Sequence, residues 1–416
     1  MFFLIVAPVI VMYVRGITYD FNKKTFISTG IFAIRTDPQD AKIFIDKKIS
    51  RKKSGDIKFL IPGEYAINIQ KDGYFPWNKR LNIEPGQVTW VTPYGGKTYL
   101  LKQASEKKNL AQKVSAFYYA NGLVFYLSGQ QAKILDIGSP QDAKEFSLPK
   151  ITDAIIASDN NGQFILSASA SPATLLLLNT TTGKITDLAR LFNGKPKFQF
   201  ANDGRLLALD DTTLYKIDPQ NETRTVLLNN IKAFDEFNDN LYYIQIESKN
   251  ELSLQVSQKG SLGQALITNL PDFANGEIIV TPGKQILLLA DGSLYQANKQ
   301  MEKITDGING YNYNKKTADL ILLRGSELDS YDYYSQNLNL ITRSGIIPAK
   351  FILAKSVGYA FFANSQGLFA IELDTRSNQN QYQLAENKNV QNFAVDETGE
   401  NLFFLDNENL SILPIR

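Results

Sequence analysis

The chain of 416 residues contains no cysteine and no histidine, only two tryptophans and three methionines. Without imidazole or thiolate, a Ser-His-Asp triad, a Cys-His dyad, a zinc finger and histidine-type haem ligation are all excluded. Any catalysis would have to rest on carboxylates, Lys, Tyr or Ser, or on a hard cation held by oxygens. The absence of cysteine does not fix a compartment, because a disulfide-free protein is allowed anywhere. Charge of one sign is lacking as well. Lys and Arg number 44 against 42 Asp and Glu, a net charge of +2, so no global field draws nucleic acid or an acidic substrate. What the chain does have is ordinary globular material: it is 44% hydrophobic and 21% charged. At roughly 150 residues per domain it predicts two or three domains.

Long hydrophobic runs are absent too, with one short exception. Phe2 to Val14 reads FFLIVAPVIVMYV and is followed by Arg15. As a helix it would reach only about 20 Å, short of the roughly 30 Å hydrocarbon core. Its place at the N-terminus favours a truncated transmembrane anchor over the apolar region of a signal peptide, because no small-x-small cleavage site follows. A buried core helix is the third reading. The missing basic flank points to residues preceding this stretch, and Arg15, Lys23 and Lys24 lie on the wrong side for a C-terminus-out topology. The expectation is a single-pass anchor over 1–16, a linker over 17–29, and the remaining domains outside the cytoplasm.

From Gly30 onward short alternating runs read as strands. They run to Asp37-Pro38, then over Ala41 to Asp46, then either side of Pro62-Gly63, with a further turn at Asp72-Gly73-Tyr74 and a last strand over Gln87 to Thr92. Pro62-Gly63 is expected to be a hairpin turn, and Lys47 to Asp56 a basic polar loop. The sum is a small β-sandwich over 30–103. The A-x-I-x-I-D run, the L-x-PG-x-Y-x-I-x-I run and the K-x-GY-x-P-W ending resemble the PEGA domain. The name-giving tetrapeptide is degraded here to Pro38-Gln39-Asp40-Ala41, whereas Pro62-Gly63 and Gly73-Tyr74 are intact. Ala7-Pro8, the RGITYDF stretch and Thr29-Gly30 are also similar to what precedes the domain in this group.

Tyr65, Tyr74 and Trp77 read first as core aromatics of a small sandwich. The functional alternative makes Tyr74, Trp77 and Trp90 an exposed stacking surface for sugar. Lys47, Lys48, Arg51, Lys52 and Lys53 read as a solvated loop, or as a contact for anionic polymer or lipid headgroups. Without interleaved aromatics they are a weak nucleic-acid signal, and no nucleic-acid partner is expected.

Beyond Lys113 no helical period occurs, and a unit recurs instead. Polar turns at Ala120-Asn121-Gly122, Asp159-Asn160-Asn161-Gly162, Asn202-Asp203-Gly204, Asn238-Asp239-Asn240, Pro282-Gly283-Lys284, Asn314-Lys315-Lys316, Ser356-Val357-Gly358 and Glu397-Thr398-Gly399 each open an apolar strand such as LVFYL, RLLAL or NLFFL. From Val124 to Leu402 the mean spacing is about 40 residues, the period of a four-stranded propeller blade. The reading is an all-β chain with a C-terminal β-propeller over 104–416, of eight blades, with seven as the alternative. The last unit runs out of residues after its third strand. Glu106 to Gln112 is expected to complete it and close the ring, which removes exposed edges. No Gly-His and Trp-Asp signature, Kelch double glycine or Asp-box marks the blades.

A glycosidase or lyase would need two carboxylates about 5–9.5 Å apart. Asp210-Asp211, Asp235-Glu236 with Asp239, and Asp406 with Glu408 are the pairs on offer, all read as lying in or beside turns, where Asp belongs for backbone reasons. Neither Asp406 to Asn409 nor Asp159 to Gly162 continues to the distal Glu of a calcium loop, and no metal or cofactor is expected. Tyr311, Tyr313, Tyr331, Tyr333 and Tyr334 concentrate in the sixth unit and suit sugar or peptide contact, or else packing between blades. The resemblance to PEGA-domain surface proteins of bacteria implies single-pass placement in a bacterial cell membrane and a non-enzymatic envelope role: a binding or scaffold protein with the PEGA domain as spacer or envelope contact and the propeller as platform for an envelope protein or glycan. Two alternatives remain open, a polysaccharide-acting enzyme with a carboxylate pair and a purely structural component of an envelope assembly.

Overall fold

In the computed structural model the described residues are all but 1, 22–23, 52–53, 94–95, 104–105, 139–142, 150–153, 160–161, 169–173, 202, 249–250, 259–262, 316–317, 344 and 387–388; the side chains of 2–5, 8, 9 and 49–51 are also not described. Lys52 and Lys53 of the basic stretch, and Asn160, Asn161, Asn202 and Lys316 of the turns, thus lie outside the described residues.

The apolar run forms the helix α1, Phe2–Val14, of 13 residues. No described helix is long and apolar enough to cross a membrane. This corrects two expectations, the transmembrane helix in the fold and the single-pass placement in a bacterial cell membrane. The reason is length: Arg15 and Gly16 end the helix after less than four turns, and the chain turns at once into the hairpin Ile17–Asp20 with Thr25–Ser28.

Residues 30–90 fold as two packed sheets. One carries Gly30–Ile34 between Val88–Trp90 and Gly55–Leu60; the other is ordered Lys48–Arg51, Lys42–Ile45, Gly63–Gln70, Trp77–Ile83. Alternation drives it, since Trp77, Lys79, Leu81 and Ile83 point inward while Asn78, Arg80 and Asn82 are exposed, and inward Phe32, Ile34, Ile43, Ile67 and Ile69 complete the core. Two expectations are corrected here. Pro62-Gly63 is a crossover between the sheets, because Gly55–Leu60 pairs with Gly30–Ile34 and Gly63–Gln70 with Lys42–Ile45 and Trp77–Ile83. The expected loop over Lys47 to Asp56 holds a strand, Lys48–Arg51, folded back on Lys42–Ile45 by Asp46 and Lys47 at positive φ, the geometry of a tight hairpin turn.

Among the described residues, those from Lys108 onward form eight four-stranded antiparallel sheets. Seven are built from consecutive strands, starting at Val114, Ala154, Lys197, Ile231, Gly276, Ile308 and Lys350, and are numbered here as blades 1 to 7. In blade 8, Val390–Val395, Asn401–Asp406 and Asn409–Pro414 are joined by Lys108–Ala111, which pairs with Asn409–Pro414. Apolar clusters fill every junction round the ring, for example Phe125 with Phe164 between blades 1 and 2, and Val124 with Phe403 between blades 8 and 1. The second strands are buried on both faces, as in Tyr359–Asn364, which explains their unbroken apolar runs. Each such Leu or Phe contributes about 1.5–3 kcal/mol. First strands of neighbouring blades approach one another, so they form the inner wall of an all-β, propeller-like ring.

Candidate functional site

The inner strands of blades 3 to 6, Lys197–Phe200, Ile231–Phe237, Gly276–Val280 and Ile308–Asn314, enclose a cavity of about 290 Å³ that Tyr311, Tyr313, Phe198 and Phe234 line together with Lys197, Gln199, Asp235, Glu277 and Lys315. Asp235 is almost fully paired: its Oδ1 accepts from Lys315 Nζ at 2.9 Å and Gln199 Nε2 at 2.7 Å, and its Oδ2 from the Val280 N–H at 2.9 Å. Glu277 binds Lys197 Nζ at 2.6 Å and accepts from the Tyr311 hydroxyl. Burial, then that hydrogen bond to a carboxylate, pushes the Tyr311 phenol well above its usual range. Burial does the same to Tyr313, aided by Asp235 and Asp319.

Asp235 and Glu236 were expected beside a turn. The structure puts them inside the strand Ile231–Phe237, both buried, because the turn proper is Asn238-Asp239 at positive φ. Being adjacent in a strand, they face opposite ways. Glu236 lies at 3.2 Å from Arg205, its Oε2 has no hydrogen-bond partner, and burial holds its carboxyl above the usual value against the opposing pull of Arg205. The other pairs sit as turn residues: Asp210 is 3.4 Å from Arg224, Asp211 has positive φ, and Asn407 and Glu408 form the turn after Asp406. Among the described residues no group of three or more His, Cys, Asp or Glu is placed to hold a metal ion.

The five tyrosines of the sixth unit separate. Tyr311 and Tyr313 reach the cavity. Tyr331 is fully buried, donates to Gln296 Oε1 at 3.2 Å and meets Tyr333 edge-on between blades 5 and 6. Tyr334 is wholly exposed. The expected stacking surface of Tyr74, Trp77 and Trp90 does not assemble. Tyr74 packs on the sandwich core and Trp77 is 2% exposed within it. Trp90 alone opens to solvent, in a shallow groove with Pro85, Val88, Pro93 and Arg376, the Arg35 guanidinium 5.8 Å from its ring. Lys47 and Lys48 are exposed on their hairpin, and Arg51 ends its second strand.

A second polar cluster had no counterpart in the sequence reading, and it joins the two parts of the molecule. Trp77 Nε1–H donates to Glu372 Oε1 at 3.0 Å, while Lys79 Nζ donates to Glu372 Oε2 at 3.0 Å and to the Asp374 carbonyl at 2.6 Å. Both charged side chains are buried, at 0% and 8% exposure. Burial raises the Glu372 carboxyl, against Lys79 and Asn380. For Asp374 burial also works upward, but hydrogen bonds from Arg376 and the charge of Lys79 win and hold it low. Arg376 donates onward to the Trp90 and Val91 carbonyls. Around this centre Phe75 stacks on Tyr382 at 4.8 Å, Tyr359 donates to the Tyr99 carbonyl, and Leu101 joins the cluster between blades 7 and 8. The sandwich is thus docked on blade 7, not tethered beside it.

Comparison with known proteins bears on both parts. Residues 29–93 match the PEGA domain. No curated protein matches the chain. Among solved structures, a eukaryotic initiation factor is 14% identical over 76% of this chain and 88% of its own, with a TM-score of 0.53. A computationally designed protein is 10% identical over 75% of this chain and 98% of its own, at 0.48, and dipeptidyl peptidase 4 of Porphyromonas gingivalis is 10% identical over 72% and 56%, at 0.48. At such identities a likeness is one of fold alone. The chain carries a PEGA domain over residues 29–93 ahead of an all-β, propeller-like body.

Proposed function

We propose that this protein is a non-enzymatic binding platform for a glycan or protein, with the PEGA domain held as a fixed part of the platform. The observation that carries the reading is the pairing within the ring cavity. Asp235 and Glu277 are each matched by an ammonium, and Asp235 and Glu236 face opposite ways. A carboxylate pair for glycosidic cleavage needs one raised acid and one free carboxylate across a shared space, and the arrangement here favours holding a ligand over cleaving it. The docked sandwich adds a second surface at a set angle, around Trp90.

The structural-component alternative draws on a different observation, the exposed apolar side chains Tyr13, Val14, Phe21, Phe26 and Phe59 near α1, which exceed the scattered exposure normal for a monomer. The test exposes the full chain to glycan and peptide arrays while assaying polysaccharide for new reducing ends. Saturable binding without cleavage is expected. Reducing ends that rise with protein concentration and vanish in Asp235→Asn, or no binding to either array, would overturn the platform.

A further inference from the structure

We propose that the cavity among the inner strands of blades 3 to 6 is a subsite for a neutral saccharide, which enters as a terminal sugar unit. This rests on the binding-platform reading and names the ligand class of that same cavity. Three features of the wall carry it.

The first is charge balance. Lys197 pairs with Glu277 at 2.6 Å and Lys315 with Asp235 at 2.9 Å, so the charged groups lining the cavity cancel. An anion or cation would compete with one of these pairs, at a cost greatest at Asp235, whose carboxylate is 9% exposed, and small at the half-exposed Lys197–Glu277 pair. A neutral ligand leaves both intact.

The second is residual hydrogen-bonding capacity. The Lys315 ammonium spends two of its three N–H groups on Asp235 and the Glu236 carbonyl. Glu277 Oε2 accepts from Tyr311 and Oε1 is ion-paired with Lys197 at 2.6 Å, and a carboxylate oxygen has a second lone pair to offer. The wall therefore carries both a spare donor and spare acceptors. Neighbouring hydroxyls of a sugar, each able to donate and accept, satisfy both, and bonds to charged groups are worth about 1.5–3 kcal/mol each.

The third is the apolar remainder. Phe198, Phe234, Tyr311 and Tyr313 supply aromatic surface beside these polar groups, and rings of this kind cover the C–H face of a sugar while their neighbours bind its hydroxyls. The volume, about 290 Å³, sits at the lower end of small-molecule sites, which span about 300–1,000 Å³, and limits the ligand to the end of a chain. The groove at Trp90 is open and shallow by comparison, and the Arg376 guanidinium that lines it is held by the Trp90 and Val91 carbonyls.

The test is calorimetric titration of the full chain with the methyl glycosides of glucose, galactose, mannose and N-acetylglucosamine, with glycine and inorganic phosphate as zwitterionic and anionic probes. At least one glycoside is expected to bind saturably, with an affinity unchanged between low and high salt, since no net charge is involved. Lys197→Ala and Tyr311→Phe should each weaken it about tenfold or more at an unaltered melting temperature, and Trp90→Ala should leave it unchanged. The proposal is overturned if no glycoside binds, if phosphate or glycine binds instead, if both cavity variants bind as the parent does, or if Trp90→Ala removes binding. Array binding by the full chain without any glycoside binding would sink this subsite and leave the platform standing. Loss of array binding as well would sink both.

Discussion

Lys79 shows how a single residue decides whether two folded parts become one body. Its ammonium sits between the Glu372 carboxylate, which also accepts from the Trp77 indole, and the Asp374 carbonyl, with no exposed surface. Removing one partner of a buried pair leaves a charge without compensation and costs about 3–5 kcal/mol, against about 0–1 kcal/mol for an exposed pair. Lys79→Met should therefore lower the unfolding free energy of the full chain by about 3–5 kcal/mol at neutral pH, measured by urea titration. The sign with pH follows from Glu372. Its folded carboxyl is raised above 4.5, so the folded state binds the proton more tightly, and this group's contribution is full below about pH 4.5 and declines as pH rises through the folded value. Losing Lys79 raises the carboxyl further, so the deficit of the variant should shrink on acidification. A deficit of about 1 kcal/mol that does not change with pH would mean that the pair is solvated and the docking loose. The signal for this residue was present in the sequence, where WNKRLNI puts a lysine in the inward register of an alternating strand. A charge at that position demands a buried partner, but the partner lies almost 300 residues away in the chain, beyond the reach of local pattern. Asp235 was misread for the opposite reason: acidic residues next to Asn238-Asp239 look like turn chemistry, and only the strand register places Asp235 within the strand and toward the cavity.

At the scale of elements, period and punctuation are what a sequence displays well. The double-sided burial of each second strand writes an apolar run into the chain, and the Asn, Asp and Gly at positive φ mark where strands reverse. Which strand pairs with which is written less clearly, as Pro62-Gly63 demonstrates, since a proline-glycine pair serves a hairpin and a sheet crossover equally. Two glycines of the sandwich separate these roles. At Gly73, φ is +82° and a Cβ would meet nothing, so the constraint is backbone conformation alone and Gly73→Ala should cost about 1 kcal/mol. At Gly30 a Cβ would fall 2.4 Å from Ile83 Cγ2 and 2.8 Å from the Glu84 carbonyl oxygen. Gly30→Ala must therefore push apart the strand Gly30–Ile34 and the segment leading to Val88, at about 1–3 kcal/mol. Thermal unfolding of the two variants side by side checks the order, and a Gly30→Ala variant no less stable than Gly73→Ala would show that the 84–87 segment yields freely.

The whole molecule is a ring whose closure depends on one strand. Asn409–Pro414 pairs on one side with Asn401–Asp406 and on the other with Lys108–Ala111, so it carries the only ladder among the described residues that joins the start of the ring to its end. A terminal unit that stops one strand short makes this legible in the sequence, because an open blade would leave an unpaired edge. The sandwich reinforces the same seam: the Lys102 N–H donates to the Ile415 carbonyl at 2.9 Å, and the Arg416 guanidinium lies 4.5 Å from the Tyr99 ring. Two truncations separate these contributions. Deleting Arg416 alone removes the contact to Tyr99, the ion pairs with Glu400 and Asp37 and the bond to the Thr398 carbonyl, but no ladder strand, and should leave a monomer weakened by about 1–2 kcal/mol. Deleting residues 409–416 strips blade 8 of its third strand, exposes the edges of Asn401–Asp406 and Lys108–Ala111 together, and uncovers Val114, Phe403 and Leu405 of the junction with blade 1. Edges of that kind recruit other chains, so light scattering and size-exclusion chromatography should show aggregation for this variant and none for the shorter deletion. A monomeric, cooperatively melting chain without residues 409–416 would mean that packing between blades holds the ring without the closing ladder.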